Sequence, residues 1–401
     1  MSASGTPRSS AARSSTTPRA PGNPVTAWAP QVFTPYPDQP GLLLARVAAR
    51  SAVFEGTSAA GGAPVLVGSA AGHDRDLVTT GARGELLERM GNVLAGREAE
   101  AAAGTVATYD ELLRRGVPVR RPSVRPRARR LWIRARTTGG EERYVPAAAV
   151  FLHHRPPTGC APEPSAGSTG IAAHPHRVAA ARHAAWEVLE RDLVRRSWYG
   201  LADSRPRWVE ADAPAPLAGA VRARGLATTA FLLPAPPGTA CAVVCLHRPD
   251  GSGQAFGARC GPSDAIGALI EKAAYEAVMV RWSMESPVAR RTWDQWRGAG
   301  PPTTAVQHAL WTYHRQDSLA LWDVRRDPAV RDDVRARADG GHRARTDPLG
   351  VLAEHTGRQV LLVETTGKPA RDAGVRVVRV LAPGTLPLPS GSGPGHPHPF
   401  G

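Results

Sequence analysis

Lysine is almost missing from this chain: only Lys272 and Lys368 occur, so nearly all of its 50 basic residues are arginine. Together with 41 Gly and 38 Pro, about a fifth of the 401 residues, this reads as a compositional bias, and it weakens any inference from arginine alone. Cysteine is scarce too. Cys160, Cys241, Cys245 and Cys260 are too few in so long a chain for a disulfide framework, so reducing conditions are expected. No apolar run approaches the roughly 18 residues of a membrane span, and Arg8, Arg13 and Arg19 are followed by no apolar signal-peptide core. A cytoplasmic protein without membrane contact is expected. The GxxxxGK[ST], HExxH, CxxC and GxSxG motifs are all absent, which removes phosphate-loop, zincin, zinc-ribbon and nucleophile-elbow chemistry. Cys241 and Cys245 lie four apart on an apparent strand, roughly 13 Å from each other, so they read as core residues and not as one metal site.

What is present suffices for a folded core, with 42% hydrophobic and 21% charged residues. Residues 1–25 are Ser-, Thr-, Pro- and Arg-rich without apolar periodicity and read as a disordered tail. Residues 26–385 read as one domain, and 386–401 as a Pro/Gly-rich tail without regular structure. Strands are expected around Leu42–Ala45, Ala63–Val67, Leu131–Arg136, Arg143–Val145, Ala149–Leu152, Leu226–Leu233, Ala240–Leu246, Val360–Val363 and Val375–Val378. Helices are expected over Leu77–Leu94, Arg177–Trp198 and Ala265–Met284, with a fourth starting at Gln307. Strands and helices mix without a strict β-α-β rhythm, so the predicted class is α+β, with mixed, largely antiparallel sheets flanked by helices. Between Arg114 and Arg136 there are ten arginines and no acid. The net charge of +15 suits an anionic partner, but without interleaved aromatics it gives little support to nucleic acid.

The informative feature is an echo. Glu85-Leu86-Leu87-Glu88-Arg89 and Glu187-Val188-Leu189-Glu190-Arg191-Asp192 both spell ExxER within predicted helices. A spacing of three places the carboxylates of each pair on one helix face. Four such carboxylates, if the helices meet, suit Mg²⁺ ions that also bind a triphosphate. One copy is equally at home on a solvated helix face, so the pattern alone leaves both readings open. Ahead of the second copy lies the small-residue turn Gly167-Ser168-Thr169-Gly170, whose amides suit an approaching phosphate.

These stretches resemble the YcaO-like family of ATP-dependent enzymes that activate peptide backbone amides. The similar segments are GARGELLERM from Gly81, STGIAAH from Ser168, AAWEVLERD from Ala184 followed by Trp198, GARC from Gly257, Lys272–Glu276 with Arg281, and the block from Val363 to Gly384. The likeness spans roughly residues 60–401. It implies ATP and Mg²⁺ as cofactors, with Glu85, Glu88, Glu187 and Glu190 on metal or nucleotide. Arg89, Ser168, Arg191, Glu276 and Arg281 would complete the nucleotide site. Azoline-forming members often end in a PxPxP tail near the active site, which places Pro397, Pro399 and the closing Gly401 at catalytic positions. Where the family pattern has a polar or acidic residue, or a final proline, this chain has Gly81, Thr169, Ala179, Met279 and Gly401.

The function implied is cyclodehydration of Cys, Ser or Thr in a ribosomal precursor peptide to thiazoline or oxazoline. An E1-like leader-binding partner is implied with it, since the chain shows no region of its own for that task, and a homodimer is left open. Peptide thioamidation on the same fold, or a non-catalytic scaffold that binds precursor or partner, are the alternatives.

Overall fold

The computed structural model describes residues 28–54, 65–120, 127–163, 166–202, 205–209, 213–323, 346–387 and 397–400. The expected N-terminal tail and Gly401 lie outside the described residues. Three antiparallel sheets carry the fold. The first runs β1 (Gln31–Phe33), β2 (Leu43–Arg50), β3 (Val65–Gly72) in that order. The second has the order β4-β5-β12-β13-β7, built from β4 (Thr105–Ala107), β5 (Arg130–Thr137), β7 (Ile171–His174), β12 (Leu361–Glu364) and β13 (Arg376–Leu381), with β6 (Glu142–Pro146) also pairing β5. The third has the order β11-β10-β9-β8: β8 (Arg207–Val209), β9 (Ala227–Leu233), β10 (Thr239–His247) and β11 (Ala255–Pro262). The edge strands β3, β7 and β11 matter most below.

Three long helices fill the spaces between these sheets. The first, α1 (Arg75–Ala102), starts where Asp74 caps the amides of Asp76 and Leu77. It runs on past Leu94 because REAEAA consists of good helix formers, ending only at the left-handed Ala103. Next come α2 (Tyr109–Arg114) and α3 (Arg177–Trp198), then α4 (Ala215–Ala223) and α5 (Ile266–Met284). The remainder are α6 (Pro287–Trp296), α7 (Ala305–His314), α8 (Ala320–Asp323), α9 (Pro348–Thr356) and α10 (Lys368–Asp372). Helix α1 buries Ala82, Leu86 and Met90 between Val47 and Leu66 of the first sheet and Ile171 and Val377 of the second. Helix α3 buries Ala185, Val188 and Leu189 between Val380 of the second sheet and Cys241, Val243 and Phe256 of the third. The opposite face of the third sheet, Ala242, Val244 and Leu246, packs on Ile270, Ala273 and Ala277 of α5. That helix then returns to the first sheet, where Tyr275 meets His73 Nδ1 at 2.7 Å and Trp282 meets the Phe33 ring at 5.1 Å between centroids. Sheets and helices thus alternate around a closed ring.

Two hairpin–helix units on this ring match each other. Gly68 of β3 lies against α1 so closely that a Cβ would stand 2.1 Å from the Ala82 carbonyl oxygen, and Gly257 of β11 lies against α5 with a Cβ 2.0 Å from that of Ala273. In both, a glutamate three residues further along the helix, Glu85 or Glu276, takes the amide of the residue after the glycine. The structural counterpart of α1 is therefore α5, although the sequence echo pairs α1 with α3.

The predicted strand Ala149–Leu152 is not one. Ala147–Ala149 form a single 3-10 turn, and the apolar run is buried because Asn92, itself buried on α1, donates to the Val150 carbonyl at 3.0 Å and accepts the Leu152 amide at 2.7 Å. A side chain replaces the ladder that the apolar run suggested. Helix α6 had no counterpart in the reading of the sequence. The arginine-rich segment, expected to begin extended, starts as the last turn of α2 at Arg114 and a turn at Arg115–Gly116; Val119 is then bridged to Tyr144, and the segment ends as β5, residues 121–126 lying outside the described residues. Among the described residues of the Pro/Gly-rich end, 386–387 and 397–400, there is no helix or strand, yet His398, Pro399 and Phe400 are buried. The cysteines of the third sheet, Cys241, Cys245 and Cys260, are buried and free in the core.

Because the atoms facing Gly257 are helix backbone, Gly257→Ala should cost about 3 kcal/mol or more. Gly84, in the middle of α1 with nothing within 4 Å of its Cβ position, should give the opposite sign on Gly84→Ala, about 0.5–1 kcal/mol of stabilisation. Urea unfolding of the two variants checks both signs.

Candidate functional site

An edge strand leaves a row of amides without partners, and here glutamates supply them. Glu85 Oε2 accepts from Ser69 N on β3 at 2.6 Å, and Glu187 Oε2 from Gly170 N at the entry to β7 at 3.0 Å. On β11, Glu276 Oε2 accepts from Ala258 N and Glu190 Oε2 from Cys260 N, both at 3.1 Å. Each carboxylate is thereby fixed through one oxygen; the second oxygen of Glu187, Glu190 and Glu276 lies beside Arg191, and that of Glu85 pairs with Arg89. The predicted carboxylates of α1 and α3 come together in this way, and Glu276 joins them from α5.

Arg191 is the hub of the α3–α5 side. Its guanidinium stands 3.5 Å from Glu190 Oε1, 4.0 Å from Glu187 Oε1 and 3.7 Å from Glu276 Oε1. Its Nε and Nη1, and Glu190 Oε1, have no hydrogen-bond partner among the described residues. Burial disfavours the guanidinium, but the three carboxylates outweigh that and hold Arg191 firmly protonated. On the carboxylate side, burial raises Glu190 to about 7 despite Arg191. Burial likewise raises Glu187. Glu88 is pushed well up by burial, then by the charges of Glu187 and Glu85. A cluster whose acids are driven towards neutrality is one that a cation would relieve.

Other predicted residues sit at the margin or elsewhere. Arg89 is committed locally, to Glu85 at 2.6 Å and to the Val67 carbonyl at 2.7 Å. Ser168 lies in the turn before β7, its carbonyl accepting from Ile171 N. Arg281 is buried, but its donors go to the Gly253 carbonyl at 2.6 Å and Glu285 at 3.0 Å, so the structure does not bring it to the carboxylates. Asp192, the last residue of the second motif, is fully buried and binds His355 and Arg196 through one oxygen and Leu386 N through the other. It ties α3 to α9 and to the chain beyond β13.

The tail reaches the cluster by a route invisible in the sequence. Trp198 Nε1 donates to the Pro397 carbonyl at 2.9 Å, His398 N donates to His308 Nδ1 at 3.0 Å, and the Phe400 ring lies 5.5 Å from the Arg191 guanidinium carbon. Burial keeps His398 neutral. Pro397 and Pro399 are anchors here, carrying no acid or base, and the contact with the cluster is made by Phe400. Sequence reasoning also missed Arg379 on β13 and Arg259 on β11, whose charges bear on Glu187 with Glu88 and on Glu190 with Glu276 respectively. Both fall in segments noted above, but in an arginine-rich chain nothing marked them out.

Among the described residues no three His, Cys, Asp or Glu side chains are placed to share one metal ion. The donors nevertheless fit Mg²⁺, which takes one or two carboxylates and completes its octahedron with water and phosphate oxygens. Glu190 Oε1, paired with Arg191 by charge but accepting no hydrogen bond, and the Arg191 Nε and Nη1 donors that make none, fit a metal ion and a phosphate in turn.

Comparison with known proteins agrees. The family described as YcaO cyclodehydratase, binding ATP and Mg²⁺, matches residues 69–386, and the chain belongs to it. An uncharacterised protein of Methanothermobacter thermautotrophicus is 30% identical over 267 residues, 63% of this chain and 64% of its own length, so this chain spans just under two thirds of that relative. Among solved structures, the YcaO of Methanopyrus kandleri bound with AMPPCP and Mg²⁺ superposes with a TM-score of 0.61 at 19% identity, covering 92% of this chain and 90% of the other. The E. coli microcin synthetase McbBCD complex with pro-MccB17 bound gives 0.59 at 13% identity, covering 90% of each chain. At these identities the likeness concerns the fold, which is the α+β architecture expected. Among the described residues no helix is long and apolar enough to cross a membrane.

Glu190 carries a pH signature. Its folded value of about 7 exceeds its ordinary 4.5, so between those values the folded chain binds the extra proton and stability falls as pH rises. Without divalent metal, Glu190→Gln should match the native chain at pH 5 and exceed it by about 1–3 kcal/mol at pH 8. Denaturant melts at the two pH values check this, and a difference that does not change with pH contradicts it.

Proposed function

We propose that this chain is an ATP- and Mg²⁺-dependent cyclodehydratase acting on a ribosomally made precursor peptide. A Cys, Ser or Thr side chain of the substrate adds to the preceding amide carbon, and the carbonyl oxygen of the resulting hemiorthoamide takes a phosphoryl group. The addition itself closes the five-membered ring; loss of that oxygen as phosphate, with departure of the amide N–H proton, then forms the C=N bond of the thiazoline or oxazoline. ATP supplies the phosphoryl group that makes a poor leaving group a good one. The observation that carries this reading is the set of strand-amide-bound glutamates from three helices: Glu187, Glu190 and Glu276, of which Glu190 is buried, grouped about Arg191, with Glu85 bound in the same way from α1.

The chain's own residues have defined tasks in it. Glu88, Glu187 and Glu190 would hold Mg²⁺ with the phosphates, Glu85 and Glu276 framing them. Arg191 remains cationic throughout and offers free N–H donors to phosphate oxygens. Phe400, lying over Arg191, limits where that guanidinium can go and shields it from water. A partner with an E1-like fold would present the leader, and the arginine-rich segment 114–136 suits an acidic one. The microcin complex, in which a relative by fold is assembled with companion chains and a bound pro-peptide, supports a partner protein and a peptide substrate.

Mg²⁺-dependent ATP hydrolysis with precursor and partner, followed by substrate mass, tests the reading. Glu187→Gln with Glu190→Gln should lower peptide-stimulated turnover about 100-fold or more. The native chain should remove one water per modified residue. Exchange of oxygen for sulfur would point to thioamidation instead, and precursor binding without turnover would leave a scaffold.

A further inference from the structure

Arg379 approaches the carboxylates from the second sheet. It sits on β13 opposite Ile171 of β7 and is 4% exposed. Its Nη1 donates to the Gly167 carbonyl at 2.6 Å, while its Nε is buried with no hydrogen-bond partner among the described residues. The next residue grips the far end of the same turn: Val380 N donates to the Gly170 carbonyl at 2.7 Å. Gly170 has φ +82°, and a Cβ there would come within 2.8 Å of the Val380 carbonyl oxygen. Glu187 holds the amide of that glycine from the other side. The turn Gly167–Gly170 is thus clamped between β13 and α3.

A carbonyl oxygen needs no cation to hold it, and burying a guanidinium carries a large desolvation cost. The cation makes sense in the charge balance of the cluster. Glu85 is paired with Arg89. That leaves Glu88, Glu187, Glu190 and Glu276 beside Arg191, Arg259 and Arg379: with a bound cation restoring the ionised forms that burial disfavours, at most four negative charges against three positive. Such a site accepts divalent ions and still admits a polyphosphate. Without Arg379 it would carry two uncompensated negative charges and favour bare cations over an anionic metal–nucleotide complex.

We propose that Arg379 is a positioning residue that sets the sign of what the site accepts: it supplies the fixed positive charge that lets the carboxylate cluster receive a metal–triphosphate complex, and it anchors the turn Gly167–Gly170 beside it. The inference rests on the ATP-binding reading of the site. The two ligands to compare are Mg²⁺·AMPPCP and Mn²⁺ alone, by calorimetry and by the electron paramagnetic resonance signal of free Mn²⁺. Arg379→Gln, which keeps a donor for Gly167 but loses the charge, should bind Mg²⁺·AMPPCP at least 10-fold more weakly and Mn²⁺ as tightly as the native chain or more so. Arg379→Lys, which keeps the charge, should stay within about 3-fold of native for the nucleotide; a larger loss overturns the proposal even if the glutamine variant fails to fold. Parallel loss of both ligands in Arg379→Gln, or no loss of either, also overturns it, leaving Arg379 a structural clamp. Failure of the native chain to bind Mg²⁺·AMPPCP would instead overturn the ATP reading, and this inference with it.

Discussion

The carboxylate–amide bond at the edge of a sheet organises this molecule. Three sheets end in β3, β7 and β11, and each edge presents amides that water or a neighbouring strand would otherwise have to satisfy. Glutamates from α1, α3 and α5 take them. One bond therefore does two things. It terminates a sheet, and for Glu187, Glu190 and Glu276 it leaves the second carboxylate oxygen beside Arg191. The acidic centre is a consequence of how the edges are closed, and the glycines at 68 and 257 bring helix and strand near enough for the bond to form.

This arrangement concentrates negative charge where burial already disfavours it, which is why Glu88, Glu187 and Glu190 are all driven towards their neutral forms. Arginines answer the problem from three directions: Arg191 from α3, Arg259 from β11 and Arg379 from β13. Near-balance of charge in a space where Arg191 donors and a Glu190 oxygen make no hydrogen bond fits a ligand that itself carries both signs, such as a metal ion bound to a triphosphate.

Much of this was legible in the sequence because its physics is local. Helical spacing put Glu85 with Glu88 and Glu187 with Glu190, and the apolar faces of their helices put both helices in the core. The rest was not local. The pairing of α1 with α5 rests on Gly68 and Gly257 meeting helix backbones, and Glu276 lacks the second glutamate that would have marked it, Met279 standing where Glu88 stands on α1. Arg281, expected at the site from the resemblance, is turned away to Gly253 and Glu285 by the packing of α5. Phe400 lies in a Pro/Gly-rich end that no periodicity describes; bonds from Trp198 to Pro397 and from His398 to His308 anchor that end, and contacts with Arg191 and Phe256 give the ring its place. Ala149–Leu152 misled for the converse reason: an apolar run signals burial, but Asn92 supplies its hydrogen bonds in place of a neighbouring strand.

The central claim is that the edge-capping glutamates and a metal–triphosphate complex share one site. A crystal structure of the chain grown with Mn²⁺ and AMPPCP, phased to show the anomalous signal of manganese, tests it most directly. The account predicts manganese between the carboxylates of α1 and α3, phosphate oxygens on Arg191, and the bonds from Ser69, Gly170, Ala258 and Cys260 amides still in place. Nucleotide bound elsewhere, or bound only after those amide bonds break, would contradict it.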